Sequence, residues 1–173
     1  MNKFMRSKWL NFVLFDFFWL GCVAGGNQWL WLTVPVILAY LITLLNVHAL
    51  TLSQLMLAAT LGIGVDALLT MLGVFNFSSA GWPIPLWLML LWLAFVSTLP
   101  LSLAFLAKSR TASVLAGAIG FPFSYAMGER LGAVTFGVGY LEALVFLSII
   151  WAVMLPVIIY IIQQAKGLFH VQT

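Results

Sequence analysis

The sequence contains very little charge: seven basic and four acidic residues in a chain of 173. Soluble domains carry charge on about a quarter of their residues, so this composition cannot supply a water-facing exterior. The hydrophobic share is 64%, and the mean hydropathy is +1.15. The composition excludes an ordinary soluble domain and predicts an integral membrane protein.

Cysteine and histidine are also scarce. The single cysteine, Cys22, excludes an intrachain disulfide and a cysteine-based zinc cluster. Two histidines, His48 and His170, cannot build the histidine boxes of di-iron desaturases or a buried Ser–His pair. We therefore predict no metal site and no cofactor. No basic stripe with interleaved aromatic residues lies outside the apolar stretches, which argues against a nucleic-acid partner.

Six apolar stretches are long enough to cross a membrane as helices, which takes about 20 residues each. We predict an all-α fold, a polytopic membrane helix bundle that forms a single integral membrane domain over residues 1–173. Glycine, proline and polar residues between the stretches supply the turns, and residues 77–83 form the one sizeable loop. The predicted transmembrane helices cover roughly 9–25, 29–47, 51–75, 85–107, 111–131 and 138–163.

Basic residues are distributed unevenly between the two sides of this topology. One side carries only Arg130, and the other carries Lys3, Arg6, Lys8, Lys108, Arg110 and Lys166. Positive residues are retained in the cytoplasm, so both termini are predicted to be cytoplasmic. The predicted location is the bacterial inner (plasma) membrane, crossed several times.

The eight tryptophans form two groups in this topology. Amphipathic rings near helix ends favour the headgroup layer, and five tryptophans lie there: Trp9, Trp29, Trp31, Trp82 and Trp87. The deeper group is predicted to pack between helices and consists of Trp19, Trp92 and Trp151.

Asp66 is the sharpest candidate for a functional residue. It follows Ala58 and Gly62 at four-residue spacing, with Thr70 next in the series. A stripe of small residues lets another helix approach closely, which predicts that Asp66 faces the bundle interior as a buried polar centre. A carboxylate there costs about 2.5–3.5 kcal/mol on insertion scales. Both a functional role and a purely structural hydrogen-bonded carboxyl remain open.

Other ionisable candidates lie nearer the helix ends: Asp16 and Glu142 as further candidates for a buried polar centre, and Glu129 and Arg130 as a candidate headgroup or ion-pair site. Asp16 is on a bulky face of the first helix, which favours snorkelling or a helix–helix hydrogen bond over catalysis. Glu129 and Arg130 end the fifth helix, and Glu142 starts the sixth. Arg130 is predicted to pair with one of the carboxylates, Glu129, Glu142 or Asp66, or to bind a lipid phosphate.

Small residues and prolines predict helix packing and a cavity. The fifth helix carries a seam of Ser113, Gly117, Gly120, Ser124 and Gly128. Helix kinks that line a cavity are predicted at two prolines, Pro122 in this helix and Pro100 beside Ser102 in the fourth. Residues 62–68 resemble residues 137–144, which would relate the third helix to the sixth as inverted repeats.

Several short motifs occur in a specific order along the chain: Asn11-x3-Phe15-x3-Trp19, Gly64-x-Asp66, Pro85-Leu86-Trp87-Leu88, Gly120-x-Pro122-x2-Tyr125 and Arg130-Leu131-Gly132-Ala133. Together they resemble a bacterial family of uncharacterised inner-membrane proteins, a domain of unknown function of about this length. The resemblance implies no established activity. It implies genomic proximity to cyclopropane-fatty-acid-synthase-like methyltransferases and flavin oxidoreductases.

Three functions follow as expectations, and whether the chain is an enzyme stays open. The first is a role in membrane fatty-acid or lipid modification, with membrane lipid and a membrane-associated lipid-modifying enzyme as partners. The second is a proton-coupled transporter of a small solute, in which Asp66 and Glu142 exchange protons. The third is a non-catalytic membrane scaffold that recruits a soluble enzyme through Lys108, Arg110 and the C-terminal tail.

Overall fold

The computed structural model describes residues 7–77 and 83–167, without the side chains of residues 166 and 167. Lys3, Arg6, Trp82 and His170 lie outside this part. It contains six α-helices, two strands and two 3-10 turns, which confirms the all-α bundle, although the strands were not predicted. In chain order the elements are α1 (Lys8–Gly25), a 3-10 turn (Gly26–Trp29), α2 (Leu30–Asn46), α3 (Leu52–Met71), β1 (Phe75–Phe77), α4 (Leu86–Thr98), a 3-10 turn (Ala104–Lys108), α5 (Arg110–Arg130), β2 (Val134–Phe136) and α6 (Tyr140–Gly167).

Local sequence determines where α3 and α4 begin and end. α3 begins at a capping box, in which the Thr51 side chain accepts from the Gln54 backbone N–H and Gln54 Oε1 accepts from the Thr51 N–H. α4 ends at Thr98, so the prediction of one helix over 85–107 with a kink at Pro100 is wrong. Proline lacks an N–H and its ring clashes with the preceding turn, and the chain continues as a turn before the 3-10 segment.

The helices match a membrane environment. Among the described residues, three stretches are long and apolar enough to cross a bilayer: Lys8–Asn46, which contains α1 and α2, Leu52–Met71 and Tyr140–Ala165. Leu86–Thr98 is apolar but shorter. Large apolar side chains on the outside include Trp9 and Trp31, which are 81% and 76% exposed. Soluble proteins rarely expose so much apolar surface to water, so the chain is an α-helical membrane protein.

The helices alternate in direction, so the beginning of α1 and the end of α6 lie at one end of the bundle. At this end, Gln54 Nε2 donates to the Ile162 carbonyl oxygen at 2.9 Å, and Ser102 Oγ donates to Asn11 Oδ1 at 2.6 Å. At the opposite end, β1 pairs antiparallel with β2. We call these two ends the termini end and the strand end.

The segments α3–β1–α4 and α5–β2–α6 have the same architecture. Each first helix ends at a Leu-Gly pair whose glycine has a positive φ, +77° at Gly73 and +75° at Gly132. This left-handed conformation ends a helix and is available to glycine without strain. A strand that ends in phenylalanine follows each glycine, and the next helix returns toward the termini end.

Counterpart residues of the two segments lie 59 positions apart, and several counterparts contact each other. The Tyr125 hydroxyl bonds to Asp66, and Thr135 Oγ1 donates to the Asn76 carbonyl oxygen. A third pair, Trp92 and Trp151, stacks with ring centroids 5.1 Å apart. Equivalent residues meet in this way beside a twofold axis, and the antiparallel register of β1 and β2 is centred on the counterparts Asn76 and Thr135. The segments are therefore related by an approximate twofold axis parallel to the helices.

This repeat differs from the one that the sequence predicted. Residues 62–68 lie within the second half of α3, whereas residues 137–144 comprise the loop before α6 and its first turn. The two stretches occupy different places in the fold, so the prediction of an inverted repeat between the third and sixth helices is wrong. The observed units run in the same direction, since α3 and α5 both end at the strand pair.

Packing around the approximate axis is uneven. α3 packs closely against both α4 and α6, and α5 packs closely against α6. At the α5–α6 contact a Cβ on Gly117 would lie 2.0 Å from the Trp151 carbonyl oxygen, so the two backbones meet. Among the described helices, α5 does not approach α1 or α4 in this way. Aromatic side chains and cavities occupy that side of α5.

Gly117→Ala tests the close α5–α6 contact. The added methyl group collides with backbone and should lower stability by about 1–3 kcal/mol, the usual range for overpacking. Gly120→Ala is the matched control, because nothing lies within 4 Å of a Cβ there. Unfolding in detergent can be followed with a thiol-reactive dye, since Cys22 is fully buried in the folded protein. Equal melting temperatures for the two variants would contradict the close approach.

Candidate functional site

α3 directs Asp66 into the bundle by placing small residues on the face that α4 contacts. Ala58 and Asp66 are 0% exposed, and Gly62 is buried between them. A Cβ on Gly62 would lie 2.4 Å from the Trp92 ring, so the indole lies directly against the α3 backbone. The missing side chain at position 62 therefore lets the Trp92 ring reach Asp66, one helical turn further along α3.

Both oxygens of the Asp66 carboxyl accept hydrogen bonds from aromatic side chains. Trp92 Nε1 donates to Oδ2 at 2.7 Å, and the Tyr125 hydroxyl donates to Oδ1 at 2.5 Å. These bonds connect α3 with α4 and α5. Within the described part of the chain no ion pair forms with this carboxyl, so neutral donors alone satisfy it. A buried carboxyl can be protonated or ionised, and it needs hydrogen-bond partners in both forms. For Asp66, Trp92 and Tyr125 are these partners.

Stacked rings hold the two donors in place. Trp92 stacks on Trp151 at 5.1 Å and on Phe121 at 5.8 Å, and Phe121 stacks on Trp151 at 4.0 Å. Tyr125 stacks on Phe75 of β1 at 4.8 Å. Aromatic pairs at these distances contribute about 0.5–1.5 kcal/mol each beyond their buried area. The donors to Asp66 are therefore fixed by packing as well as by hydrogen bonds.

Two adjoining cavities lie on the side of α5 that faces α1 and α4. The first, which we call the inner cavity, has a volume of about 70 Å³, and its lining includes Trp92 and Tyr125. The second, the lateral groove, has a volume of about 560 Å³. The two share the lining residues Phe15, Trp19, Phe95, Phe121 and Ser124. The donors to Asp66 thus contact a cavity that continues into a larger apolar groove.

A hydrogen bond between α1 and α5 lies where the two cavities adjoin. Trp19 Nε1 donates to Ser124 Oγ at 2.9 Å, and both residues line the inner cavity and the lateral groove. Trp19 is half-buried. Since the α1 and α5 backbones do not pack closely, side chains form the boundary between the two cavities here.

The structure brings several predicted residues to these cavities. Ser124, Gly120 and Asp16 line the lateral groove, and Gly128 lines the inner cavity. Asp16 is exposed on the outer face of α1. Asp66 itself lines neither cavity, because Trp92 and Tyr125 lie between its carboxyl and the space. Any influence of Asp66 on a ligand there would act through these two donors.

The other ionisable candidates lie apart from Asp66. Glu129 is half-buried, whereas Arg130 and Glu142 are exposed, so of the three predicted buried polar centres, Asp66, Glu142 and Asp16, only Asp66 is buried. Glu142 Oε2 accepts from the Gly139 backbone N–H at 3.3 Å, at the start of α6. Among the described residues Arg130 forms no ion pair with any carboxylate, so the predicted pairing is not observed, and the binding of a lipid phosphate stays a prediction.

The remaining predicted packing residues have separate roles. Gly62 and Gly117 permit close approaches of neighbouring helices, and Pro122 is buried within α5. Pro100 lies in the turn that follows α4. Ser102 bonds to Asn11 of α1 near the termini end, where Asn11 also donates to the Tyr40 hydroxyl at 2.7 Å.

Sequence reasoning did not find the residues that bind the Asp66 carboxyl. From the sequence, Trp92 was predicted only to pack between helices. Tyr125 and Asn11 were noted only as residues of the family motifs. Trp87 was assigned to the headgroup layer, but it is only 3% exposed. The 59-residue offset between the two Leu-Gly-x3-Phe motifs was a usable signal, since it makes Tyr125 the counterpart of Asp66.

The fold and this site define a class: an α-helical membrane protein whose core holds a carboxyl bound by aromatic donors beside an apolar cavity. The chain belongs to the family described as protein of unknown function, DUF2878, whose model matches residues 8–157. This confirms the resemblance to a family of unknown function. No curated protein and no solved structure matches the chain.

Asp66→Ala tests the central hydrogen bonds. The variant leaves the Trp92 N–H and the Tyr125 hydroxyl without their acceptor, and each unpaired buried group costs about 1–3 kcal/mol. We expect a clear fall in melting temperature with the Cys22 dye assay, and a smaller fall for Asp66→Asn, which keeps one acceptor oxygen. Asp16→Ala is the control, because Asp16 is exposed. A melting temperature for Asp66→Ala equal to that of the control would refute the assignment.

Proposed function

We propose that this protein is a multi-pass inner-membrane protein that binds the acyl chain of a membrane lipid. In this role it acts in, or assists, the modification of membrane fatty acyl chains or lipids. The observation that carries the proposal is the lateral groove beside α1 and α5, which adjoins an aromatic-lined inner cavity with Tyr125 and Trp92 at its wall. A large apolar groove with few polar groups suits a hydrocarbon chain.

The proposed topology has six membrane-spanning helices with both termini in the cytoplasm. The alternating helix directions support it, as does the distribution of basic side chains. Lys8, Lys108 and Arg110 begin or end elements at the termini end, and Arg130 ends α5 at the strand end. By the positive-inside rule, the termini end then faces the cytoplasm and the strand end faces outward.

Within this proposal Asp66 is a positioning residue. Its carboxyl orients the Tyr125 hydroxyl and the Trp92 indole, which line the inner cavity. Among the side chains that line the inner cavity, Tyr125 and Ser124 carry the hydroxyl groups. We assign no bond-making step to them. A protein that holds a chain in this way would present it to a membrane-associated lipid-modifying enzyme, the partner class that the family resemblance suggests.

Whole-cell lipid profiles by mass spectrometry test this function. A deletion strain is compared with strains that express the native protein, Gly120→Phe or Gly64→Phe. Gly120 lines the lateral groove and has open space beside it, so phenylalanine should fill the groove without strain. We expect deletion to shift an acyl or headgroup species, and the native protein to restore it.

Gly64→Phe is the matched control, since Gly64 is an exposed glycine of α3 with equally open space, in a different groove. It should restore the profile, whereas Gly120→Phe should not. Identical lipid profiles in the deletion and complemented strains would refute a role in lipid modification.

A second candidate is a proton-coupled transporter of a small solute. Asp66 and Tyr125 are counterparts that meet beside the approximate twofold axis, and transporters built from repeats place ion and substrate sites at the repeat interface. Because Glu142 is exposed, we take Asp66 as the group that carries the proton in this transporter. A scaffold role would use the exposed Lys108 and Arg110 together with the C-terminal tail, which lies outside the described residues, and no further feature favours it.

Proton movement into proteoliposomes under a pH gradient tests the carrier, with a trapped pH-sensitive dye and a panel of small solutes. Solute-dependent flux should be abolished in Asp66→Asn, because an amide cannot exchange a proton. It should persist in Glu142→Gln. Flux that survives Asp66→Asn would exclude this mechanism.

A further inference from the structure

A third cavity lies at the strand end and is polar where the other two are apolar. It has a volume of about 390 Å³ and is formed by the turn after α1, with Asn27 and Gln28, and by the segment after α5, residues 131–133. It shares Val23 and Trp87 with the inner cavity. We call it the polar cavity. Polar cavity, inner cavity and lateral groove therefore adjoin one another in that order.

Trp87 lies at the junction of the polar and inner cavities and carries an unused hydrogen-bond donor. The residue is 3% exposed, and its Nε1–H has no hydrogen-bond partner among the residues that the structure describes. A buried donor without an acceptor is unfavourable and uncommon in folded proteins. The Nε1–H of Trp151 is also buried without a hydrogen-bond partner, but Trp151 lines none of these three cavities. Of these two indoles only Trp87 borders the cavities, so only its N–H could meet an acceptor on a bound molecule, once the ring turns toward the cavity.

We propose that the three cavities form one site for an ester-linked glycerolipid. The headgroup occupies the polar cavity, an ester carbonyl accepts from Trp87 Nε1, and one acyl chain passes through the inner cavity into the lateral groove. The proposal rests on the acyl-chain function above and names its substrate class. The polar cavity, the unpartnered N–H of Trp87 and the apolar cavities follow one another in this order. A glycerolipid has its headgroup, ester carbonyl and hydrocarbon chain in the same order.

The dimensions of α1 fit this arrangement. Gly25 lines the polar cavity, and Phe15 lines the lateral groove. At about 1.5 Å per helical residue they lie roughly 15 Å apart along α1, half of a bilayer core of about 30 Å. A lipid of the outer leaflet could therefore keep its headgroup at the strand end while one chain reaches the membrane centre beside Trp19.

The junction of the polar and inner cavities favours an ester over a free fatty acid. The described side chains that line these two cavities include no lysine or arginine, so a free carboxylate at the junction would meet no cation. The donor there is a neutral indole, which suits a neutral carbonyl oxygen. A free acid would place a negative charge at this buried junction, where the desolvation penalty is large.

Lipid competition on the purified full-length protein in detergent tests the proposal. The probes are dioleoyl phosphatidylethanolamine, its diether analogue without carbonyls, and oleate, each competing with a fluorescent phosphatidylethanolamine. The key variant replaces Trp87 by benzothienylalanine, which keeps the ring shape and lacks the N–H. The same replacement at Trp151 is the matched control, because it also removes an unpartnered buried N–H.

We expect the native protein to bind the ester lipid about three- to tenfold more tightly than the ether lipid, the effect of one neutral hydrogen bond. The Trp87 replacement should abolish this preference, and the Trp151 replacement should retain it. Equal affinity of the native protein for ester and ether lipids overturns the proposal, as does a preference that survives the Trp87 replacement. Tight binding of oleate alone overturns it and leaves the acyl-chain function standing, whereas failure of all three probes removes both.

Discussion

The Asp66 carboxyl organises the centre of this bundle, because a polar group at this depth must be satisfied by the protein itself. Its two oxygens accept from Trp92 and Tyr125, so one side chain connects α3, α4 and α5. Gly62 gives the Trp92 ring its place against α3, and Phe75 of the strand pair stacks on Tyr125. The packing of α3 against α4, the stacked aromatic rings and the strand pair therefore all help to hold the groups that bind one buried carboxyl.

The approximate twofold relation between α3–β1–α4 and α5–β2–α6 explains why Asp66 meets Tyr125, since residues on the axis face their counterparts. The cavities arise where this symmetry fails. α3 packs against α6, but the equivalent approach of α5 to α4 does not occur, and α1 lies beside the opening. There α1 and α5 are joined by the Trp19–Ser124 hydrogen bond rather than by close backbone packing, so side chains rather than helix backbones close this side of the bundle.

The two functional candidates use the same centre in different ways. For a lipid-binding role Asp66 is a fixed acceptor that holds Tyr125 and Trp92 at the cavity wall. For a carrier it is a group that gains and loses a proton at the repeat interface. The cavities favour the first, because their linings are mainly apolar and the polar space lies at one end, beside Trp87. The change from a polar to an apolar lining along α1 is expected of a site for an amphiphile.

The sequence by itself determined that this is an α-helical membrane protein and the approximate bounds of five of the six described helices, because hydrophobic length and turn residues are local properties. It also gave the inward direction of Asp66, since the four-residue stripe is fixed within α3. It did not give the end of α4 at Thr98, the strand pair or the true repeat. Only the tertiary structure decided the partners of Asp66, which lie 26 and 59 residues away, and the cavities at Trp19 and Trp87. Such features depend on which helix faces meet and how closely, and in an apolar chain almost every face is hydrophobic enough to pack against almost any other.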